Sequence, residues 1–331
     1  MAQVTIRDVA AAAGVSVSTV SLSLNAPHRV AAATRERVIA AADTLGFVPK
    51  AEAVARARRG VGRVGAVGPF TTYPAAAARL GGVLRAAPRH GLEVVVFDQP
   101  SAARTPAPLL ASLPRSGRLD GLLIVSQPLD EPVVARLIEL DLPAVLVDMR
   151  HPGLGSVRTD DTAGGRRAAA HLLERGHRRV AFLGESQRSH AYVSPAERRL
   201  AGFAAAFAEA GHPVDDARRA ATVRDPAAAA AAARELLTAP GRPTAVFASD
   251  DLLAAAVLAA ARQLGLAVPG ELAVVGYDDG ELAAVLELTT VRQPLAETGE
   301  LALERLHRRM RHAEPAADIV LDCTLVPRAT T

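Results

Sequence analysis

Tryptophan is absent from this 331-residue chain, and aromatic residues make up only 3% of it. Half of the residues are apolar, and alanine carries much of that share, which favours helices packed closely on sheets. Cys323 is the sole cysteine, so no intrachain disulfide can form and a reducing compartment is allowed. No uninterrupted apolar run is long enough to span a membrane, because the alanine-rich stretches keep meeting Arg, Asp, Pro or Gly. The opening MAQVTIRDVAAAAG has no basic segment followed by an apolar one, so it does not read as a secretory signal. The length allows two or three domains and a large core.

The net charge of +3 is distributed unevenly. Residues 1–63 hold nine basic side chains (Arg7, Arg29, Arg35, Arg37, Lys50, Arg56, Arg58, Arg59, Arg63) against four acidic ones (Asp8, Glu36, Asp43, Glu52). The head therefore carries +5 and the remainder −2. A polyanion-binding head on a near-neutral body fits this split, and a merely solvated basic tail is the competing explanation.

Local signals in the head predict three helices. Thr5 with Asp8 three residues on resembles a capping box, and Ile6, Val9, Ala10 and Ala13 recur on one face. Gly14 permits the left-handed stop, and Ser16 is a good N-cap for a second helix with Val20 and Leu24 inward. Asn25 and Pro27 end it. A third helix is expected from about Ala32 to Leu45, with Val38, Ile39, Ala42 and Leu45 inward and Gly46 as its stop. Two short helices joined at a glycine and braced by a third form a helix-turn-helix. The outer face of the second helix is Val17, Ser18, Ser21 and Leu22, with no charge. Small side chains let a helix lie deep in the major groove, hydroxyls bond base edges or phosphates, and apolar groups meet thymine methyls. Charges on the flanks then meet phosphate.

VTIRDVAAAAGVSVSTVSLSLN, followed by TRERVIAAADTLGFVP, resembles the head of the LacI/GalR family of bacterial transcription regulators. Later segments fit as well: LDGLLIVS, GHRRVAFLG, ERRLAGF, PTAVFASDDLLA, LGLAVPGELAVVGYDD and LTTVRQP. Two positions depart. The family usually has arginine where this chain has Leu22, so a different or less guanine-dependent operator is expected. In KAEAVARARRG, Arg56 occupies the place of the family's minor-groove leucine; an arginine enters a narrow A·T-rich groove without wedging it open. The linker is a short Ala/Arg segment, marginal as an isolated helix, and the resemblance implies that it folds against DNA. The residues expected at the DNA are Thr5, Ser16, Val17, Ser18, Thr19, Ser21, Leu22, Asn25, Arg29, Arg35, Lys50, Ala53 and Arg56.

GVGRVG, Gly60 to Gly65, matches a dinucleotide fingerprint, but a basic segment precedes it where a strand should. From Gly62 onward, apolar runs (RVGAVG, LEVVVF, LDGLLIV, PAVLV, RRVAFLG, TAVFAS, ELAVVGY) alternate with helical stretches such as Pro74–His90, Asp130–Glu139 and Thr162–Glu174. This is the βαβ rhythm of parallel sheets. The fold class is therefore α/β behind a small all-α helix-turn-helix domain, and the resemblance implies that the α/β part is a two-lobed periplasmic-binding-protein-like domain with parallel sheets. The resemblance implies a head at 1–47, a hinge at 48–61 and an effector and dimerisation domain at 62–331. Within it, lobe 1 takes about 62–159 and 291–319, and lobe 2 about 160–290 and 320–331.

Ligands of open α/β sheets bind beyond the carboxyl ends of strands. Asp98, Ser126, Gln127, Asp148, Asp250 and Asp278 follow the apolar runs, and Arg199 lies in ERRLAGF. Carboxylates accept from hydroxyls and a guanidinium donates to oxygens, so a hydroxyl-rich ligand suits this set. By motif match, Asp148, Arg199, Asp250 and Asp278 fall where family members contact sugars or related effectors; position 250 is commonly asparagine there. Helix capping is the plainer role for Ser249, Asp250 or Asp251. Phe70, Tyr73, Tyr192 and Tyr277 are the available ring platforms, with Phe70 and Tyr277 closest to strand ends. A sugar is the first expectation for the ligand and a nucleoside or purine the second.

Enzyme signals are weak. His171 and His177 in HLLERGH lack the i, i+4 spacing of a helical metal pair, no G-x-S-x-G elbow occurs, and Cys323 reads as a buried thiol in DIVLDCTLV. No metal and no cofactor is expected. The reading is a cytoplasmic, homodimeric, ligand-responsive repressor of carbohydrate-related genes on a near-palindromic operator. Its rivals are a transporter's solute-binding protein, which would share the body but carry a secretory signal, and a sugar-processing enzyme, which would need a paired acid and base. No heptad tail follows the last strand-like run, so a tetramerising coil is not expected.

Overall fold

The computed structural model describes residues 4–25, 29–45, 47, 62–100, 110, 114, 119–187, 193–312 and 316–331. The expectations for Lys50, Ala53, Arg56 and Tyr192, and for the side chains of Leu24 and Asn25, fall outside the described residues. The chain forms two compact units, Met1–Gly62 and Arg63–Thr331.

The first unit contains α1 (Ile6–Ala13), α2 (Val17–Asn25) and α3 (Ala32–Leu45). Thr5 caps α1: its backbone N–H and its hydroxyl both donate to the Asp8 carboxylate, at 2.8 and 2.7 Å. Those bonds hold the Asp8 carboxyl below its ordinary range. Gly14 stops the helix at φ 64°, a left-handed conformation that a side chain rarely adopts. Val9, Ala10, Ala13, Val20, Val38 and Ala42 form the core of the unit. Ile39, expected inward, is 43% exposed. The buried face of α3 runs along Val38 and Ala42, i and i+4, and Ile39 lies one residue off that row.

The second unit holds two six-stranded sheets, each flanked by helices. Its elements in chain order are β1 (Gly62–Gly68), α4 (Pro74–Ala86), β2 (Leu92–Asp98), β3 (Gly121–Val125), α5 (Glu131–Glu139), β4 (Ala144–Val147) and β5 (Gly155–Thr159). Next come α6 (Asp161–Glu174), β6 (Val180–Glu185), α7 (Pro195–Glu209), β7 (Arg219–Thr222), α8 (Pro226–Thr238), β8 (Ala245–Ala248) and α9 (Asp251–Gln263). The chain closes with β9 (Ala273–Asp278), α10 (Glu281–Val285), β10 (Thr289–Arg292), α11 (Leu295–Arg311), β11 (Asp318–Leu321) and β12 (Thr324–Val326). A 3₁₀ turn, Ala87–His90, follows α4.

The first lobe is the sheet β11-β5-β4-β3-β1-β2, and the second is β12-β10-β9-β8-β6-β7. The pairings are parallel except β10 with β12. The chain passes to the second sheet after β5, returns after β10, and passes again between β11 and β12. Central strands β3, β4 and β8 are buried throughout, as parallel strands covered on both faces must be. β1 overlaps the end of GVGRVG, so Gly62 and Gly65 serve a strand and not a strand-to-helix turn. Cys323 is buried at the third crossing, its Sγ 3.4 Å from the Tyr277 hydroxyl.

Candidate functional site: an arginine–carboxylate cleft and an uncharged helix face

The cleft lies between the two lobes, at the carboxyl ends of their strands, and encloses about 820 Å³ of empty space, part of it open to solvent. Ser126 and Asp148 end β3 and β4, and both have positive φ (51° and 63°) without being glycine. Asp278, at the end of β9, has φ 105°. Backbone strain of this kind gathers where side chains must be aimed.

Three buried guanidiniums alternate with carboxylates. Arg79 of α4 meets Asp148 at 2.8 Å and donates to the Gln293 side-chain oxygen at 3.0 Å, while its Nε has no partner. Asp148 also accepts from the Ser126 hydroxyl at 3.0 Å. Arg199 of α7 donates to Asp161 at 2.9 Å and to the Ser249 carbonyl, stands 3.8 Å from Asp278, and lies 3.7 Å over the Tyr277 ring. Burial alone would lower the Arg199 pKa, but Asp161 and Asp278 reverse that and raise it. Arg224 pairs with Asp250 and lies 4.7 Å from the centre of the Tyr73 ring, whose hydroxyl donates to Glu185.

Two carboxyls are pushed up by their surroundings. Burial first, then the charge balance of Arg199, Asp250 and Arg79, puts Asp278 at about 6. Burial and then Asp278 put Asp251 at about 7, although the Thr290 hydroxyl and the Gly280 N–H both donate to it. Asp250 does two jobs at once: it accepts from Leu253 N–H at the start of α9 and takes the Arg224 ion pair. The capping role and the cleft role are therefore compatible.

The expected set Asp148, Arg199, Asp250 and Asp278 lines this cleft together. Phe70 does not line it. It is 7% exposed and packs into the lobe 1 core with Val64, Ala66 and Val125, while Tyr73, three residues on, supplies the ring. Phe70 follows the last residues of a buried strand, and its side chain continues inward. Tyr277 is buried completely and serves as the bed for Arg199. Asp98 is turned to Thr71, and Gln127 donates to the Pro100 carbonyl. Sequence reasoning missed Arg79, Asp161, Glu185 and Arg224. A lone arginine inside alanine-rich PAAAARLGG, and another before the aspartate-proline of TVRDP, were the available signals. His171 bonds the Thr331 hydroxyl and His177 that of Thr244; burial lowers both pKa values.

In the head, Ser16 caps α2 by accepting from Thr19 N–H at 3.1 Å, and its hydroxyl also meets those of Ser18 and Thr19. Val17 and Leu22 are 41% and 38% exposed, Ser18 is exposed and Ser21 half-buried, whereas Val20 and Ser23 are buried. Ser23 turns its hydroxyl onto the Thr19 carbonyl. Arg29 is exposed and Arg35 half-buried. The uncharged outer strip of α2 thus faces away from the core of the head.

A family model described as bacterial regulatory proteins, lacI family, matches residues 5–50, and one for a periplasmic binding protein-like domain matches 169–331. The HTH-type transcriptional repressor PurR of Photobacterium profundum is 31% identical over 93% of this chain and 92% of its own. The chain belongs to the lacI family. The ribose operon repressor of Escherichia coli is 32% identical over 92% of this chain and 93% of its own. A lac repressor dimer bound to operator and the anti-inducer ONPF superposes with a TM-score of 0.75, at 27% identity, over 100% of this chain and 99% of that one. This lacI-family protein is a ligand-responsive, DNA-binding transcriptional repressor, built as a helix-turn-helix head and a two-lobed periplasmic-binding-protein-like body. Its relatives are transcriptional regulators. Among the described residues no helix is long and apolar enough to cross a membrane.

Proposed function

We propose that this repressor controls carbohydrate-related genes and that its effector is an uncharged, hydroxyl-rich molecule held in the interlobe cleft. One observation carries this: Arg79, Arg199 and Arg224 are each already paired with a carboxylate, and Glu185 adds a further acceptor. Among the described residues of the cleft each guanidinium already has a carboxylate partner, which disfavours an anionic ligand, whereas hydroxyls can both accept from and donate to such a set. The name of the ribose operon repressor agrees with the sugar class. The effector residues are Asp148, Arg199, Asp250 and Asp278, joined by Arg79, Asp161, Glu185 and Arg224.

Two protomers, working in the cytoplasm, present their heads to a near-palindromic duplex, a reading supported by the likeness to a lac repressor dimer bound to operator. The division into a head (1–47), a hinge (48–61) and a two-lobed effector domain (62–331) belongs to this proposal. Val17, Ser18, Ser21 and Leu22 read base edges; Thr5, Ser16, Thr19, Asn25, Arg29, Arg35, Lys50, Ala53 and Arg56 hold the backbone or minor groove. Effector shifts operator affinity only by its differential affinity for the two lobe arrangements. Gel shifts on DNA upstream of the protein's own gene, with and without a panel of neutral sugars and sugar phosphates, test it. A neutral sugar alone is expected to change the shift; a response confined to sugar phosphates overturns the ligand class. Leu22→Arg is expected to change base preference in a randomised-site selection, and an unchanged preference would remove Leu22 from the readout.

A further inference from the structure

The last turn of α11 carries Arg308, Arg309 and Arg311 within LHRRMRH. A helix C-terminus favours cations. One cation satisfies that preference, and here there are three. Among the described residues no carboxylate pairs with any of them, and one terminal nitrogen of Arg309 is shielded from solvent without a partner. Arg308 and Arg311 are exposed.

The position of this turn is fixed by packing. Leu306 would touch a Cβ built on Gly121, the first residue of β3, and Gly121 sits opposite Val64 in the register of β1. His307 lies against His90, with ring centroids 4.5 Å apart. The basic turn therefore stands at the end of the lobe 1 sheet where β1 and β3 begin. Other cations there have carboxylate partners: Arg63 has Glu93 and, through its N–H, Asp120, while Arg85 and Arg89 share Glu300. The His307 pKa is lowered by burial and then by His90 and Arg311. Among the described residues, Arg308, Arg309 and Arg311 are thus three neighbouring guanidiniums without a carboxylate in contact.

We propose that this turn is a second, sequence-independent DNA contact, in which Arg308, Arg309 and Arg311 of the effector domain bind phosphates of a DNA duplex. It rests on the DNA-binding reading and adds a surface outside the head. Guanidiniums suit phosphate because their planar donors match its oxygens, and each engaged phosphate releases condensed counterions.

The test uses the full chain and two duplexes, one carrying the operator and one of mixed sequence, with affinity followed by fluorescence anisotropy from about 50 to 200 mM salt. Arg308→Gln/Arg311→Gln is expected to flatten the log–log salt slope by about 2 for each protomer that engages DNA, since each lost phosphate contact removes about 0.9. It is expected to weaken both duplexes by the same factor, leaving their ratio and the Tm of the protein unchanged. Ser18→Ala in the head is the contrasting variant, lowering the operator-to-mixed ratio. A wild-type slope in the double variant overturns the patch and leaves the operator reading intact. So does a change in the molecular mass of the free protein without a change in slope, because the turn would then be a contact between proteins.

Discussion

The two lobes solve one packing problem with the same device. In lobe 1, α4 crosses α11 so closely that a Cβ on Gly82 would lie 1.9 Å from the Ala296 carbonyl oxygen, and one on Gly299 1.9 Å from that of Arg79. In lobe 2, α7 crosses α6 with Gly202 against the Thr162 carbonyl and Gly165 against that of Arg199, both at 2.0 Å. Each crossing brings an arginine, three residues before the glycine, to the mouth of the cleft. The surroundings of the two arginines differ. Arg199 is surrounded by Asp161, Asp278, the Ser249 carbonyl and the Tyr277 ring. Arg79 has Asp148 and Gln293 and keeps Nε unpartnered, at 4% exposure. One arginine is a fixture of its lobe; the other holds a donor in reserve. A buried donor without a partner costs about 1–3 kcal/mol, which a ligand oxygen recovers.

The largest effect is expected where the fixture is removed. Arg199→Met leaves Asp161 and Asp278 buried beside an apolar chain, and denaturant unfolding should show a loss of about 3–5 kcal/mol. Arg79→Met should cost clearly less; equal losses would erase the distinction between the lobes. Next come the crossings. Gly202→Ala and Gly82→Ala should each lose about 2–3 kcal/mol, because backbone carbonyls cannot yield as a flexible side chain does. If only one lobe responds, the crossings are not equivalent. Arg79→Gln keeps a polar group but removes the reserve donor, and should weaken effector binding about tenfold or more by calorimetry, with the Tm little changed.

The smallest effect is that of pH. Asp278 and Asp251 sit at about 6 and 7 in the fold against an ordinary 3.8. Their folded pKa values are raised, so the native state binds more protons than the unfolded chain between those limits. Their contribution to stability is whole below about pH 3.8 and is lost as pH rises through 6 and then 7. Asp251→Asn should flatten the decline in Tm between pH 5 and 7.5 relative to the unaltered protein. The groups around Asp278 are Arg199, Arg79, Gln293, Asp250 and Asp251, and its ionisation supplies a stronger acceptor. Affinity for a neutral polyol should therefore rise over the same interval.

Local chemistry made the head readable. Thr5, Gly14 and Ser16 are cap and stop residues whose meaning depends on neighbours within four positions, and they act as expected. Ile39 was misplaced because an apolar residue in a short helix is not obliged to face inward. In the body, long apolar runs such as GLLIV announce buried strands. GSVRT and RAAT do not, since a strand of four or five residues with polar members takes its identity from the neighbour it pairs with. The cleft was half legible for a related reason. Aspartates at strand ends stand out, but Arg79 and Arg224 gain their roles only when a helix and a loop far apart in sequence are folded onto them.

The three passages of backbone between the sheets have a mechanical corollary. Three tethers side by side resist shear and extension and leave bending about a common axis as the soft motion. Gln293, just beyond β10, accepts from Thr159 at the end of β5 at 2.6 Å and donates to Asp278, so a pin of hydrogen bonds sits on that axis. A rotation of a few degrees there is small at the pin and grows in proportion to distance along each lobe. Torque applied by an occupant close to the pivot is thus delivered as displacement at the far rims, with no wire of contacts needed between them.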